Sequence, residues 1–494
     1  LRKVDDSMSQ IRVSDLTFHY EGSYDTIFEH ASFSIDTDWK LGFVGRNGRG
    51  KTTFLRLLLG ELEYEGNISA SVTFDYFPFE VEDESLLTSA VFEAVSGAPR
   101  WRLEKELNLL EVEPDVLDRA FCTLSPGEQT KVLLAALFSK NGNFLLIDEP
   151  TNHLDMEARA AVSRYLNAKK GFILVSHDRA FLDGCVDHIL SINRASIEVQ
   201  KGGFSSWEEN RKKQDAFELA ENERLTRESE QLKKAARRTA EWADRVEGSK
   251  IGEHSLDRGF IGAQSARMMK RAKATQKRME SAAKQKEQLL KNVERNDTLR
   301  VTPLRHHAEL LIEARSLTIA YGERTVCGPL DFTLKQGERL ALSGKNGSGK
   351  SSVIKLLMGE NVPHTGTLRT ASGLMISYMP QDTSFLRGNV LDYARENGLD
   401  ETLFLTILRK LDFPRVQFEK DMRDFSGGQK KKALLAKTLS ERAHLYVWDE
   451  PLNFVDVLSR MQIRDLLLEA KPSMLFVEHD KAFTEEISTG IIRL

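Results

Sequence analysis

The feature that most constrains this chain is that it repeats itself. GRNGRGKT at Gly45–Thr52 returns as GKNGSGKS at Gly344–Ser351, 299 residues later. LSPGEQ at Leu124–Gln129 is answered by FSGGQK at Phe425–Lys430, at an offset of 301. FLLIDEP at Phe144–Pro150 is answered by LYVWDEP at Leu445–Pro451, again at 301, and His177 and His479 lie 302 apart. Four motifs in one order at nearly one offset define two homologous α/β domains, 8–203 and 301–494. A chain of 494 residues also exceeds what a single core supports.

Between the copies, 204–300 has a different composition. It holds no proline and is rich in Ala, Glu, Lys, Arg and Gln, while its glycines gather at Gly248, Gly252, Gly259 and Gly262. That predicts helix, turn, helix. Leu225, Ser229, Leu232 and Ala236 on the first arm, and Met269, Ala272, Gln276 and Met279 on the second, follow alternating steps of four and three. The pattern is a coiled-coil seam, so the linker is expected to be a helical hairpin of roughly 50–60 Å with its tip near 247–263.

GxxxxGK[ST] after the apolar runs LGFV and LALS is a phosphate loop, or P-loop. Its glycines let backbone N–H groups curl around phosphate oxygens at a helix start. Gly45, Asn47, Gly48, Gly50, Lys51, Thr52 and Thr53 form the first copy; Gly344, Asn346, Gly347, Gly349, Lys350, Ser351 and Ser352 form the second. The lysines should reach the outer phosphates of ATP, and Thr52 and Ser351 should hold Mg2+. Asp148 and Asp449 end buried-strand runs and are expected near the same metal. Glu149 and Glu450 then stand where a base polarises the attacking water. His177 and His479, at the tips of further apolar strands, are candidates to bond the γ-phosphate.

The LSPGE and FSGGQ motifs show the resemblance: both domains are similar to the ATP-binding cassette superfamily. The resemblance implies that the serine-glycine motif of one domain closes over ATP held by the other. Ser426, Gly427, Gly428 and Gln429 would then complete the site of Lys51, and Ser125, Gly127 and Glu128 that of Lys350. It also implies that Tyr20 and Tyr321 stack on adenine, and that Gln381 contacts magnesium. In the first domain Phe79 stands at the glutamine's position, and Pro126 removes one N–H from the first signature. Two unequal sites are therefore expected.

Two cassettes on one chain with a long helical linker resemble the ABC-F group. DEPLNFVDV (Asp449–Val457), VEHD (Val477–Asp480), the glutamine-less YFPF and the run RGFIGAQSARMMKR are similar to resistance proteins of the Lsa/Vga type, on the Lsa side. The resemblance implies a ribosome-protecting ATPase. It would bind the ribosomal E site, touch 23S rRNA and P-site tRNA, and displace lincosamides, streptogramins A or pleuromutilins from the peptidyl-transferase centre. From Arg258 to Arg278 there are seven basic residues and no acidic one. Arg258, Arg267, Lys270 and Arg271, with the apolar Phe260 and Ile261 between glycines, suit an rRNA phosphate backbone and its bases.

Composition narrows the alternatives. The net charge of -4 names no partner by itself. Three scattered cysteines, Cys122, Cys185 and Cys327, give neither a metal spacing nor a disulfide framework. No apolar run reaches the roughly 18 residues of a membrane span, and the charged N-terminal residues lack the apolar core of a signal peptide, so none is expected. A cytoplasmic monomer is expected, an intramolecular pseudo-dimer with no membrane or DNA partner. Met8 reads as the natural start. A general translation factor of the same group, or less so the ATPase subunit of a transporter, is the alternative.

Overall fold

In the computed structural model, the residues described are 10–20, 26–140, 142–151, 154–192, 197–248, 267, 270, 273–279, 281–282, 301–322, 324–345 and 347–494. The chain divides into two compact units, one made of Leu1–Ser205 with Asn296–Leu494, the other of Ser206–Arg295. Both sequence repeats lie in the first.

The first repeat contributes β1 (Gln10–His19), β2 (Thr26–Asp36), β3 (Lys40–Gly45), β4 (Glu65–Ser69), β5 (Thr73–Phe77), β6 (Asn143–Asp148), β7 (Phe172–Val175), β8 (His188–Ile192) and β9 (Ile197–Lys201). A three-stranded antiparallel sheet runs β2-β1-β4, and a six-stranded sheet runs β5-β6-β7-β3-β8-β9. The six-stranded sheet is parallel except for β9. Its inner strands FLLI and FILV are buried on both faces, as parallel strands covered on both sides must be. β1 alternates instead, with Ile11, Val13 and Phe18 turned to the core.

The second repeat reproduces this plan with β10 (Leu310–Tyr321), β11 (Arg324–Lys335), β12 (Arg339–Ser343), β13 (His364–Thr370), β14 (Ile376–Met379), β15 (Leu445–Asp449), β16 (Met474–Val477) and β17 (Gly490–Arg493). Its sheets run β11-β10-β13 and β14-β15-β16-β12-β17. The helices Lys51–Leu59 and Lys350–Leu357 each pack between the two sheets of their repeat. Phe54, Leu55 and Leu58 join Ile11, Phe43 and Ile173 in one core, and Val353 and Ile354 join Ile312, Leu342 and Val477 in the other. A third core unites the helices Glu401–Lys410 and Gly427–Ser440 with Trp448 and Phe476. Parallel pairing puts strand C-terminal ends on one edge of each larger sheet, and that edge carries Gly45 and Asp148 in the first repeat and Ser343 and Asp449 in the second.

In the second unit, the helix Phe204–Gly248 has 45 residues, about 68 Å at ~1.5 Å each. The ion pairs Lys212–Glu208, Lys213–Glu209 and Arg227–Glu223 lie along its surface. Leu225 and Ser229, two expected seam positions, are buried at 8% and 3% exposure. Arg267 and Lys270 are helical and exposed. Arg258, Phe260, Ile261 and Arg271 lie outside the described residues.

Candidate functional site

Two cavities form where the repeats meet, and each is lined from both. The first, about 680 Å³, collects Gly48, Gly50, Lys51 and Thr52 of the first repeat with Ser426, Gly427 and Gly428 of the second. The other, about 750 Å³, collects Gly347, Gly349, Lys350 and Ser351 with Ser125, Gly127 and Glu128. The P-loop of each repeat therefore faces the signature of the other.

Local sequence explains the loops. Gly50 and Gly349 precede their helices at φ 93° and 92°, the left-handed region that glycine enters freely. A Cβ on Gly50 would also lie 2.4 Å from Ile27 Cγ2. Lys51 Nζ donates to Gly45 O at 2.8 Å, Arg46 O at 3.2 Å and Asn47 Oδ1 at 3.4 Å, while Lys350 Nζ donates to Gly344 O and Lys345 O at 2.8 and 2.9 Å. Each ammonium is thus held inside its own loop. Asn346 lies outside the described residues.

At the first site Thr52 Oγ1 donates to Asp148 Oδ2 at 3.1 Å, and Tyr76 Oη donates to the same oxygen at 3.0 Å. Burial and the Asp148 charge push the Tyr76 pKa up, so it remains a donor. At the second, Ser351 hydrogen-bonds Asp449, whose buried Oδ1 has no partner among the described residues. Hydroxyl and carboxylate oxygens with one acceptor left over suit a hard cation such as Mg2+. Among the described residues, no cluster of three or more His, Cys, Asp or Glu could hold a metal alone. Thr52 with Asp148, and Ser351 with Asp449, would hold the ion, which would neutralise phosphate charge.

The two glutamates differ. Both turn out of their strands at positive φ, 51° at Glu149 and 49° at Glu450. Glu450 accepts from Gln381 Nε2 at 2.8 Å and from Asn453 Nδ2 at 2.5 Å, with His479 Nε2 3.3 Å from its other oxygen. Burial alone would raise its pKa, but the His479 and Gln381 contacts and Lys431 bring it below the ordinary value. His177 Nε2 also lies 3.3 Å from Glu149 Oε1, yet that oxygen accepts no hydrogen bond among the described residues. Burial, reinforced by Asp148, pushes Glu149 up to about 8. Burial and the Lys51 charge hold His177 well below its ordinary value, so its ring is neutral.

Ser125 and Ser426 cap the helices Pro126–Ser139 and Gly427–Ser440 in reciprocal capping boxes with Glu128 and Gln429. Gln429 is therefore turned back onto the Ser426 backbone, its Oε1 accepting that N–H at 2.9 Å. Gln381, expected at magnesium, has its amide on Glu450 instead. Tyr20 and Tyr321 are 41% and 48% exposed, with their hydroxyls on Thr53 and Ser352.

Several residues in or beside the cavities escaped sequence reasoning. Phe454 closes the first cavity from the second repeat, and its carbonyl accepts from Asn47 Nδ2 at 2.9 Å. A Cβ on Gly428 would lie 2.5 Å from that carbonyl, so this signature position requires glycine. Arg49, inside the first P-loop, pairs with Asp412 across the interface at 3.1 Å. Asn453 and Phe454 were visible in sequence within the run DEPLNFVDV, which gave no role for either.

The comparisons agree with this architecture. The sequence pattern described as ABC transporter matches residues 28–152 and 327–453. The chain belongs to the ABC transporter family and is an ATPase. It is homologous to ABC-F proteins. It is 28% identical over 479 residues to the ribosome protection protein VmlR of Bacillus subtilis (strain 168), covering 95% of this chain and 84% of that one. It is also 28% identical over 526 residues to the energy-dependent translational throttle protein EttA of Haemophilus influenzae, covering 94% and 88%. Its fold matches the archaeal ribosome recycling factor aABCE1, solved with the ribosomal stalk protein aP1, at a TM-score of 0.62 and 20% identity over 97% of this chain and 87% of that one. Among the described residues, no helix is long and apolar enough to cross a membrane.

Proposed function

We propose that this chain is a cytoplasmic, monomeric ribosome-protection ATPase that uses ATP to close its two repeats on the ribosome. The observation that carries the ATP part is the composite lining of both cavities. A nucleotide held by Lys51 and Thr52 is also touched by Ser426, Gly427 and Gly428, so binding it and joining the repeats are one event. Glu450, fixed by Gln381, Asn453 and His479, acts as base toward the attacking water, and Glu149 has that role at the first site. His177 and His479 orient the water or the γ-phosphate. Tyr20 and Tyr321 supply exposed rings for adenine.

The ribosomal part rests on the relatives. VmlR protects the ribosome by its name, and EttA throttles translation by its name. The linker tip, with Arg258, Phe260, Ile261, Arg267, Lys270 and Arg271, would reach 23S rRNA and P-site tRNA from the E site. Lincosamides, streptogramins A and pleuromutilins are the drugs it would counter. The compact stretch between β5 and the first signature supports this over a housekeeping role. It holds the helices Thr88–Ser96 and Arg100–Leu109 and two short 3-10 turns, Pro114–Asp118 and Phe121–Thr123, which mirror Val390–Glu396, Glu401–Lys410, Arg415–Glu419 and Met422–Asp424, with no inserted arm. The second reading, a general translation factor, is favoured by the equal identity to EttA.

The test is the chain carrying both Glu149→Gln and Glu450→Gln. It should bind ATP, lose turnover by at least about a hundredfold, and stay with ribosomes through a sucrose cushion. Normal turnover would remove both glutamates from their roles. Expression of the wild-type chain in a susceptible host should raise tolerance to a lincosamide. Unchanged tolerance with ribosome association intact would favour the general factor.

A further inference from the structure

The two sites recruit different residues from the same strand end. β14 and the turn after it deliver Gln381 to the second cavity, and its amide holds Glu450 at 2.8 Å. At the matching place in the first repeat stands Phe79, half-buried and without a polar group to offer. There the cavity is lined instead by Tyr76, at the end of β5, whose hydroxyl holds Asp148 at 3.0 Å.

A tyrosine occupies the same register in both repeats. Tyr76 pairs with Leu146 of β6, and Tyr378 with Val447 of β15. Yet Tyr378 does not line the second cavity, and among the described residues no hydrogen bond joins it to Asp449. The phenol is therefore engaged only where the glutamine is missing. Its engagement is specific in chemistry as well as place. Thr52 and Tyr76 both donate to Oδ2 of Asp148, which fixes the carboxylate plane and leaves Oδ1 as its free face.

We infer that Tyr76 is a positioning residue of the first site, orienting Asp148 toward the magnesium of a bound nucleotide, while the second site spends its equivalent contact on orienting the base Glu450. The first site is thereby built for holding Mg-ATP and the second for turning it over. This rests on the nucleotide-site reading above and divides the labour within it.

The experiment uses the full chain with Lys350→Ala, which leaves the first P-loop as the intact one. Trinitrophenyl-ATP binding is followed by fluorescence while Mg2+ is titrated. Removal of a carboxylate's hydrogen-bond partner shifts metal affinity by about 10- to 100-fold. Tyr76→Phe should raise the Mg2+ midpoint by at least about tenfold, with metal-free nucleotide affinity and thermal unfolding unchanged. Tyr378→Phe, in the complementary Lys51→Ala chain, should leave the Mg2+ midpoint where it was. A Tyr76→Phe midpoint equal to its parent's overturns the positioning role alone. A metal-free affinity that falls as much as the Mg-dependent one overturns it too, because the loss is then structural. If the Lys350→Ala parent binds no trinitrophenyl-ATP at all, the nucleotide-site reading itself falls, and the inference with it.

Discussion

Asp456 is fully buried, and its carboxylate lies 2.8 Å from Lys432 Nζ, itself 4% exposed. It also caps the helix Val457–Ala470 through the Ser459 N–H. Burial by itself would raise the Asp456 pKa. The Lys432 charge and hydrogen bond, the Ser459 N–H and the Lys51 charge outweigh that and hold it far below the ordinary carboxylate range. The folded value is thus lower than the unfolded one, so the stabilisation is fully present above about pH 4 and is lost as pH falls toward the folded value. Removing one partner of such a pair strands the other charge. Asp456→Asn is therefore expected to destabilise the second repeat by roughly 3–5 kcal/mol at neutral pH. It should also flatten the acid limb of the stability curve, both read by denaturant unfolding between pH 3 and 7. A loss under about 1 kcal/mol would mean that Lys432 finds another partner. The repeat offset of 301 makes Lys131 and Asp155 the counterparts of these two residues. That only the second pair closes was not legible. Among the described residues no ion pair joins Lys131 to Asp155, which instead line the second cavity.

At the scale of elements, the loop after each DEP is tied to the neighbouring strand tip, and the two repeats tie it differently. In the first, Thr151 Oγ1 lies 3.5 Å from Ser176 Oγ. In the second, Leu452 has no hydroxyl. Glu478, at the place of Ser176, accepts the Leu452 N–H at 3.1 Å and the His479 N–H at 2.8 Å. The two departures from the first repeat, Leu452 for Thr151 and Glu478 for Ser176, are thus one structural exchange. Replacing Glu478 by Ala takes the acceptor from three buried N–H groups, those of Leu452, His479 and, more weakly at 3.4 Å, Asp480, and about 1–3 kcal/mol per stranded donor is expected. The loss of second-repeat stability should appear in thermal unfolding, and turnover should fall with it because the two loops that Glu478 ties together carry Asn453 and His479. The double exchange Leu452→Thr with Glu478→Ser should recover most of both. Helix starts and buried strands were readable because caps, glycines and apolar runs are local signals. Gly50 and Gly349, Ser125 and Ser426 stand at helix starts, and Asp148 and Asp449 at strand ends, positions that local chemistry signals. The hold of Gln381 on Glu450 was not readable, since its amide direction depends on packing between elements distant in sequence.

On the scale of the whole molecule, the two repeats meet through unlike contacts, and this is where sequence said least. Beside the first cavity, Arg49 and Asp412 pair at 3.1 Å with only 27% and 23% of their side chains exposed, and Asn47 reaches the Phe454 carbonyl. Near the second P-loop, Lys345 pairs with Glu157 at 3.0 Å, but both are about three-quarters exposed, at 73% and 74%. An exposed pair of that kind is screened by salt and contributes roughly 0–1 kcal/mol, whereas a half-buried guanidinium and carboxylate keep more of their attraction. Arg49 replaces the serine that the second P-loop has at Ser348, so the stronger contact sits at one site by substitution and not by general design. The first interface should therefore stay joined when the second opens. A double-mutant cycle on Arg49→Ala and Asp412→Ala, read by fluorescence energy transfer between labelled repeats as ATP is added, should give a coupling of about 0.5–3 kcal/mol for closure. The same cycle on Lys345 and Glu157 should give a value within about 0.5 kcal/mol of zero, shrinking further in 0.5 M salt. Equal couplings would show that the two sites open together, and the asymmetry of their contacts would then have no consequence for how the repeats part.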